Sequence, residues 1–160
     1  MSYDDKVRTG GCQCGAVRFR VSGIGRPMIC YCRMCQKAFG SVGGPLVGVT
    51  GMTWTRGRPA HFQSSNIARR GFCADCGTPL TFESAGEVEL AIGTFDAGAE
   101  IAPTLQLGVE NKPAWVDHLG VMPTRTPEQQ AKHAIKYGTV VSHQHPDHDT
   151  GVWPPAEQEK

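Results

Sequence analysis

Seven cysteines are the residues of this 160-residue chain best suited to chemistry. Four of them form two close pairs, and each pair is followed by a glycine that permits a tight turn. Two such pairs, distant in sequence, converge in closed four-thiolate sites, which are the usual form of structural zinc. Binding such an ion contributes about 10 kcal/mol to folding. We therefore predict a structural zinc ion held by Cys12, Cys14, Cys73 and Cys76.

The other three cysteines stand in one C-x-C-x-x-C run, Cys30, Cys32 and Cys35. This spacing lets three sulfurs bind one ion, and a zinc with three protein ligands keeps a position open for water or substrate. We predict a catalytic zinc site at these three residues. Two alternatives stay open from the residues alone: a second structural site closed by His61 or His118, and a group of redox cysteines without metal.

Charged and aromatic side chains near these three cysteines can change the charge of the site and its affinity for a substrate. Arg33 and Lys37 can offset the negative charge of three thiolates and attract carboxylates of a substrate, although both are equally typical of solvated surface. Phe39 and Trp54 can line a pocket, but aromatic residues are more often core. Trp115 is assigned to the core on the same grounds.

A further candidate metal motif lies near the C-terminus. Residues 143–148 read H-Q-H-P-D-H, which fits the H-x-H-x-D-H pattern of metallo-β-lactamase hydrolases. That site needs a much larger fold and further ligands downstream, whereas twelve residues follow His148. We therefore discard the hydrolase interpretation and expect a polar tail that binds divalent metal weakly.

Composition narrows the class of protein. Hydrophobic residues make up 39% and charged residues 19%, which is typical of a soluble globular chain. The formal net charge is +1 and no long basic run occurs, so strong attraction to nucleic acid or anionic lipid is not expected. No stretch reaches the roughly 18 apolar residues of a membrane helix, and the polar start lacks the apolar part of a secretory signal. A cysteine-rich chain of this kind is expected in the reducing cytoplasm.

Short alternating segments separated by glycine turns predict a mainly β fold. A hairpin is predicted around Ala85-Gly86, and a short helix or turn over residues 32–39. The predicted strands are at residues 16–21, 46–49, 52–55, 61–64, 68–72, 80–83, 88–92 and 104–109.

One longer helix is predicted over residues 127–137. Thr126 can serve as its N-cap and Pro127 as its first residue. We predict a zinc-binding catalytic domain over residues 1–125, followed over residues 126–160 by this helix and a polar, mobile tail.

Taken together, the motifs resemble those of the glutathione-dependent formaldehyde-activating family, which includes the centromere protein V domain. The resemblance rests on C-x-C-G, C-x-C-x-x-C-Q-K, F-C-x-x-C-G-T-P-L and a late E-x-x-P-A-W segment, and it covers roughly residues 8–125. It implies a β-tent fold of twisted antiparallel sheets with two zinc ions. By the resemblance, the structural ion is held by Cys12, Cys14, Cys73 and Cys76, and the catalytic ion by Cys30, Cys32 and Cys35.

The resemblance implies a carbon–sulfur lyase type of activity, the reversible joining of glutathione to formaldehyde. The partners would be a small aldehyde and a thiol, without nucleic acid or membrane, and a homodimer is compatible with the sequence. Tyr31 stands where many members have histidine, and tyrosine is a poor base at neutral pH, so the substrate stays open. Two alternatives from other classes are a zinc-binding interaction module without turnover and a zinc-thiolate redox sensor.

Overall fold

A computed structural model describes residues 4–154 of the chain. They fall into two compact units, one made of residues 4–112 with 144–154 and the other of Pro113–His143. The outer ends of the predicted domain and tail, residues 1–3 and 155–160, lie outside the described residues. In the described part of the chain, no helix has the length and apolar character needed to cross a membrane.

The first unit is mainly β, which confirms the predicted fold class. Its described residues form two sheets of short strands. The strands are β1 (Arg8–Gly11), β2 (Arg18–Val21), β3 (Gly23–Ile24), β4 (Met28–Cys30), β5 (Gly44–Thr50), β6 (Thr53–Arg56), β7 (Ala60–Gln63), β8 (Ala68–Phe72), β9 (Pro79–Ser84), β10 (Glu87–Ala91) and β11 (Leu105–Leu107).

The smaller sheet has the order β1-β2-β6, and the larger runs β11-β4-β5-β10-β9-β8-β7 with β3 paired to β5. Among the described strands, β11 and β4 pair in parallel and the other pairs are antiparallel. The twisted antiparallel sheets implied by the resemblance are thus present, with one parallel pair at an edge of the larger sheet. The parallel pair matters for the site because it brings residues 105–111 beside the end of β4, where the backbone N–H of Tyr31 donates to the Leu107 carbonyl at 2.8 Å.

The main hydrophobic core takes its side chains from both sheets. Phe19 of β2 is fully buried and meets the ring of Phe95 edge-on, with ring centroids 5.2 Å apart. Val47 of β5 and Leu90 of β10 belong to the same cluster. Complete burial of an aliphatic or aromatic side chain of this size stabilises the fold by about 1.5–3 kcal/mol.

A short helix and a tight hairpin form where the sequence predicts them. Helix α1 (Arg33–Phe39) ends at Gly40, whose φ of 57° is left-handed and therefore favours glycine. The β9–β10 hairpin turns at Ala85 and Gly86, with φ of 52° and 81°. Two residues with positive φ are what a two-residue hairpin turn requires to match the strand twist.

The second unit contains helix α2 (Pro127–Tyr137), with the predicted bounds. Its N-cap is Thr126, whose hydroxyl accepts from the backbone N–H of Gln129 while the Gln129 side chain accepts from the backbone of Thr126. The assignment of Trp115 to the core is wrong, since its side chain is 48% exposed. It lies in a 3-10 segment, Ala114–Val121, that has no buried residue.

Candidate metal centres

The structure brings the two distant cysteine pairs into one four-cysteine cluster. Cys12 and Cys14 follow β1, and Cys73 and Cys76 follow β8. All four Sγ atoms lie within 4.8 Å of one another, with 3.6 Å between Cys12 and Cys14 and 3.8 Å between Cys14 and Cys73. Four thiolates that bind a tetrahedral ion at about 2.3 Å have sulfur–sulfur edges of about 3.8 Å. The donor set can therefore hold a metal ion, consistent with zinc.

Local backbone geometry shapes both halves of this cluster. Gly15 and Gly77 follow the two pairs with φ of 76° and 75°, which a residue with a side chain adopts only with strain. The amide of Gly15 donates to the Cys12 carbonyl at 3.1 Å, and the amide of Gly77 donates to the Cys73 carbonyl at 2.9 Å. The backbone N–H of Val17 donates to Cys12 Sγ at 3.2 Å, as expected of a turn that directs N–H groups toward a metal ligand.

The thiols of this cluster differ in acidity because their surroundings differ. Burial raises the pKa of Cys14 to about 12 and also raises the pKa of Cys73. Burial acts the same way on Cys76, but hydrogen bonds from Thr78 and Cys14 together outweigh it and lower the pKa of Cys76 to about 6. Thr78 Oγ1 lies 3.1 Å from Cys76 Sγ. The hydrogen bonds of the protein thus favour the thiolate form of Cys76, and coordination of a dication deprotonates thiol ligands.

The remaining three cysteines form a second group, the cysteine triplet Cys30, Cys32 and Cys35. Their Sγ atoms also lie within 4.8 Å of one another. Cys30 ends β4, Cys32 is the N-cap of α1, and Cys35 lies in the first turn of α1 with 4% exposure. Within residues 4–154, no histidine or carboxylate joins these sulfurs in a group able to hold a metal ion. The triplet can hold a metal ion with three protein ligands.

Hydrogen bonds also give the three thiols of the triplet different pKa values. Burial raises the pKa of Cys30 to about 12. Burial also opposes the charged form of Cys32, but several hydrogen bonds together outweigh it and lower the pKa of Cys32. The strongest of these comes from the backbone N–H of Cys35, 3.4 Å from Cys32 Sγ. Burial raises the pKa of Cys35, and a hydrogen bond from Arg70 opposes that rise.

Arg70, which no sequence motif pointed to, is a cation in contact with the triplet. It is 4% exposed, and its Nη2 donates to Cys35 Sγ at 3.3 Å. Its Nε donates to Ser64 Oγ at 3.0 Å, and its guanidinium lies 4.8 Å from the ring centre of Phe82. The alternating pattern of residues 68–72 was the available signal, but two adjacent arginines leave open which one faces inward.

Comparison with known proteins identifies the family. A family model described as glutathione-dependent formaldehyde-activating enzyme matches residues 7–111, more than half of the chain and the part with all seven cysteines. The chain belongs to this family. Among solved structures, a crystal structure of a Rhodobacter sphaeroides protein, a structural genomics target, is similar with a TM-score of 0.49 and 18% identity, covering 61% of this chain and 98% of that chain. A search of curated proteins gave no match.

Membership of the formaldehyde-activating family confirms the resemblance identified from the motifs. Two residues predicted to lie beside the triplet are located elsewhere. His61 Nε2 lies 2.8 Å from Glu83 Oε1, so this histidine is engaged away from the triplet and does not close the site. Trp54 packs against the main core, edge-on to Phe19 with ring centroids 6.3 Å apart. His118, the other candidate fourth ligand, belongs to the second unit.

The other predicted neighbours of the triplet in this family member are one aromatic residue that lines a cavity and two cations that lie on the surface of α1. Phe39 lines a cavity of about 230 Å³ together with Arg70. Arg33 is exposed and donates to Gln36 Oε1 at 2.9 Å, and Lys37 is also exposed. Both cations therefore lie on the outer surface of α1, and the inward positive charge comes from Arg70.

Residues 144–153, part of the first unit, pack against the four-cysteine cluster. His145 is 3% exposed, and its backbone N–H donates to the Gln13 carbonyl at 2.7 Å. Trp153 Nε1 donates to the Cys14 carbonyl at 2.6 Å. The expectation of a mobile tail is wrong for this segment, because a histidine and a tryptophan anchor a stretch whose composition is otherwise polar.

Both ring nitrogens of His145 form hydrogen bonds with protein atoms. Its Nδ1 lies 2.7 Å from the Pro146 carbonyl and 3.3 Å from Arg18 Nη1, and its Nε2 lies 2.9 Å from the Thr150 hydroxyl. The shorter contact favours the proton on Nδ1, which leaves Nε2 to accept from Thr150. Arg56 Nη1 also lies 3.3 Å from Nε2. Burial lowers the pKa of His145, and the positive charges of Arg18 and Arg56 act in the same direction. The weak metal binding expected of this motif is therefore not open to His145.

A buried arginine also joins this segment to the rest of the first unit. Arg18 is 3% exposed, and its Nη2 lies 2.6 Å from Asp96 Oδ2 and 2.6 Å from Asp149 Oδ1. Asp149 belongs to the tail and Asp96 follows β10. Asp96 is the mostly buried counter-charge of Arg18, and the half-exposed Asp149 adds a second ion pair that ties the tail to it.

His145→Ala should lower the free energy of unfolding by about 1–3 kcal/mol, because it leaves buried polar partners unpaired. The pKa of folded His145 lies below its ordinary 6.5, so protonation favours the unfolded chain. The wild-type protein should therefore lose this contribution as the pH falls below about 6.5, whereas the variant should not. Urea unfolding at several pH values measures both effects.

His143→Ala is the matched control, since His143 is an exposed histidine of the same motif. It should leave stability unchanged at every pH. Equal stability losses in the two variants, or no loss in His145→Ala, would show that the tail does not stabilise the four-cysteine cluster.

Proposed function

We propose that this family member is an enzyme promoting the reversible addition of a thiol such as glutathione to a small aldehyde such as formaldehyde, a carbon–sulfur lyase type of reaction. The observation that carries the proposal is the division of the seven cysteines into one group of four and one of three. Four thiolates complete a tetrahedral site, whereas three leave one position for a reacting molecule. Membership of the formaldehyde-activating family supports this reaction class.

Each cluster holds one zinc ion in this proposal. The structural ion is assigned to Cys12, Cys14, Cys73 and Cys76, and the catalytic ion to Cys30, Cys32 and Cys35, all within the predicted domain of residues 1–125. When bound at the triplet, zinc supplies Lewis acidity toward a carbonyl oxygen, or lowers the pKa of a thiol. All seven cysteines are free of disulfides, which suits the reducing cytoplasm that we assign to the protein.

The reaction itself makes modest demands on the protein. The electron pair of the thiol sulfur forms a bond to the carbonyl carbon, the carbonyl π bond breaks, and the thiol proton finishes on the hydroxyl of the hemithioacetal. The reverse reaction breaks the carbon–sulfur bond and returns the proton to sulfur. Positioning of the two reactants therefore accounts for most of the rate gain available to the site.

The chain's own residues hold the triplet in place for this step. Gln36 is 8% exposed, and its Nε2 donates to the backbone carbonyls of Tyr31 at 2.7 Å and Asn111 at 2.9 Å. Tyr31, the residue that departs from the common histidine, is 6% exposed. Its backbone thus fixes the loop between Cys30 and Cys32, and we assign it a positioning role rather than that of a base.

A zinc-thiolate redox sensor is the second candidate function. It is favoured by the lowered pKa of Cys32 beside two other sulfurs within 4.8 Å, since a thiolate close to a second thiol oxidises readily to a disulfide. The two functions differ in one respect that can be measured directly: a sensor does not accelerate exchange between an aldehyde and its thiol adduct.

Exchange spectroscopy tests the proposed function. Glutathione and ¹³C-formaldehyde form the adduct spontaneously, and magnetisation transfer between hydrated formaldehyde and the adduct gives the exchange rate. The zinc-loaded protein should raise this rate well above the spontaneous one, in proportion to its concentration. An unchanged rate with formaldehyde, acetaldehyde and methylglyoxal would contradict the proposal, and reversible loss of zinc with mild peroxide in the same sample would favour the sensor.

A further inference from the structure

Arg70 is a buried cation whose described neighbours leave its charge available to a sulfur. The ion pairs found within residues 4–154 do not include it. Its contacts are instead the Ser64 hydroxyl, the face of the Phe82 ring and Cys35 Sγ. A buried guanidinium is costly unless a negative charge lies close to it. Here the one group in hydrogen-bond contact that can carry a full negative charge is Cys35.

The sheet fixes where this guanidinium points. Arg70 lies in β8, opposite Phe62 of β7 and Phe82 of β9. The Phe82 ring supports the guanidinium from one side, and Ser64 accepts from its Nε at 3.0 Å. These two contacts orient Nη2 toward Cys35 Sγ, so the donor is positioned before any ion binds.

The adjacent Arg69 differs from Arg70 in its exposure and in its hydrogen-bond partner. Arg69 points to the other face of β8, its side chain is 57% exposed, and it pairs with Glu83 at 2.7 Å. An arginine that only shields the sheet surface has this kind of partner. Arg70 is buried and has no carboxylate at ion-pair distance among the described residues; Glu89 senses its charge only at longer range. This separates its role from that of a surface charge.

Charge balance explains why a cation belongs at this place. Three thiolates carry one negative charge more than a zinc dication neutralises, and Cys35 lies at the buried end of the triplet with 4% exposure. A net charge in that environment is unfavourable unless a counter-charge lies within hydrogen-bond distance. Arg70 supplies this charge permanently, because a guanidinium stays protonated in proteins.

We propose that Arg70 is a positioning residue for the triplet: it holds Cys35 Sγ in its ligand position and balances the excess negative charge of the metal-loaded cluster. This inference rests on the part of the proposed function that places a metal ion at the triplet. The geometry also implies that Arg70 weakens electron donation from the Cys35 sulfur, since a sulfur that accepts an N–H hydrogen bond donates less charge to a metal.

Cobalt substitution tests this role without relying on activity. Starting from protein that keeps the ion of its four-cysteine cluster, Co²⁺ is titrated into the triplet and the sulfur-to-cobalt charge-transfer band is recorded. Arg70→Met should weaken Co²⁺ binding at the triplet by about 10- to 100-fold and move the band to longer wavelength. Arg70→Lys, which keeps the charge but not the fork geometry, should recover most of the affinity.

The controls separate positioning from a structural role and from the proposed function. Arg69→Met should change neither the Co²⁺ affinity of the triplet nor the spectrum. Ser64→Ala removes only the hydrogen bond to Arg70 Nε, so it should weaken Co²⁺ binding less than Arg70→Met does. Ser64→Ala also replaces Arg70→Met as the test if Arg70→Met does not fold. Wild-type affinity and an unshifted band in Arg70→Met would overturn the inference, even if its melting temperature falls. No cobalt at the wild-type triplet would overturn both proposals, whereas the expected cobalt results without aldehyde exchange would overturn the enzyme alone.

Discussion

Cys73→Ser should prevent the chain from reaching its native fold. Cys73 is 1% exposed and packs with Cys12, Val17 and Leu80 in the second core cluster, so the sulfur cluster is part of the core. Metal binding by four thiolates contributes about 10 kcal/mol to folding, which is comparable with the whole stability of an ordinary domain, about 5–15 kcal/mol. A serine oxygen is a poor replacement for a thiolate ligand, so most of this free energy is lost.

Soluble yield, circular dichroism and thermal unfolding measure this outcome. Asp75→Ala is the matched control, because Asp75 lies between Cys73 and Cys76, is exposed, and keeps its backbone N–H after substitution. This control should fold and melt like the wild-type protein. A Cys73→Ser variant with wild-type secondary structure and melting temperature would show that the four-cysteine cluster is not a folding centre.

Cys32→Ser should abolish aldehyde–thiol exchange while the fold survives. Serine is a preferred N-cap residue, and its oxygen can accept from the Cys35 amide as the sulfur does now at 3.4 Å, so α1 keeps its cap. What the substitution removes is one thiolate of the triplet. Loss of an outer-shell partner costs about 10- to 100-fold, so loss of the ligand itself should lower kcat/KM by at least about 100-fold.

Two further variants make this result specific. Cys32→Ala removes both the thiolate and the cap, so it should lose activity equally and also about 1 kcal/mol of stability. Met34→Ala changes a 55% exposed side chain on the same helix and should retain activity. Wild-type kcat/KM in Cys32→Ser would exclude the triplet as the reaction site. Unfolding of Cys32→Ser would show that the triplet is needed for the fold, which contradicts the prediction.

Much of the site follows from local sequence because metal-ligand spacing is local. Cys12 and Cys14 approach each other within one turn, which the following glycine makes possible, and the same holds for Cys73 and Cys76. The division of seven cysteines into four and three was therefore available from spacing, and the structure groups them in the same way. Helix α2 and the β9–β10 hairpin were predictable for the same reason, since caps and turns act over a few residues.

Other features depend on long-range packing that no local pattern encodes. Arg69 and Arg70 look alike in sequence, and only the register against β9 turns Arg70 inward toward Cys35. His145 lies in a polar, proline-rich stretch, yet it is buried and contacts residues 89 and 127 positions earlier in the chain. The parallel pairing of β11 with β4 also joins strands that are distant in sequence.

The measurement that tests the central claim most directly is a count of zinc ions by native mass spectrometry, on wild-type protein and on Cys32→Ser. The claim is that one chain holds two ions of different kind, a structural ion in the four-cysteine cluster and a second ion in the triplet. We expect two ions per wild-type chain and one in a folded Cys32→Ser variant. One ion in both proteins would contradict the account, because the triplet would then carry no metal and the proposed chemistry would lose its site.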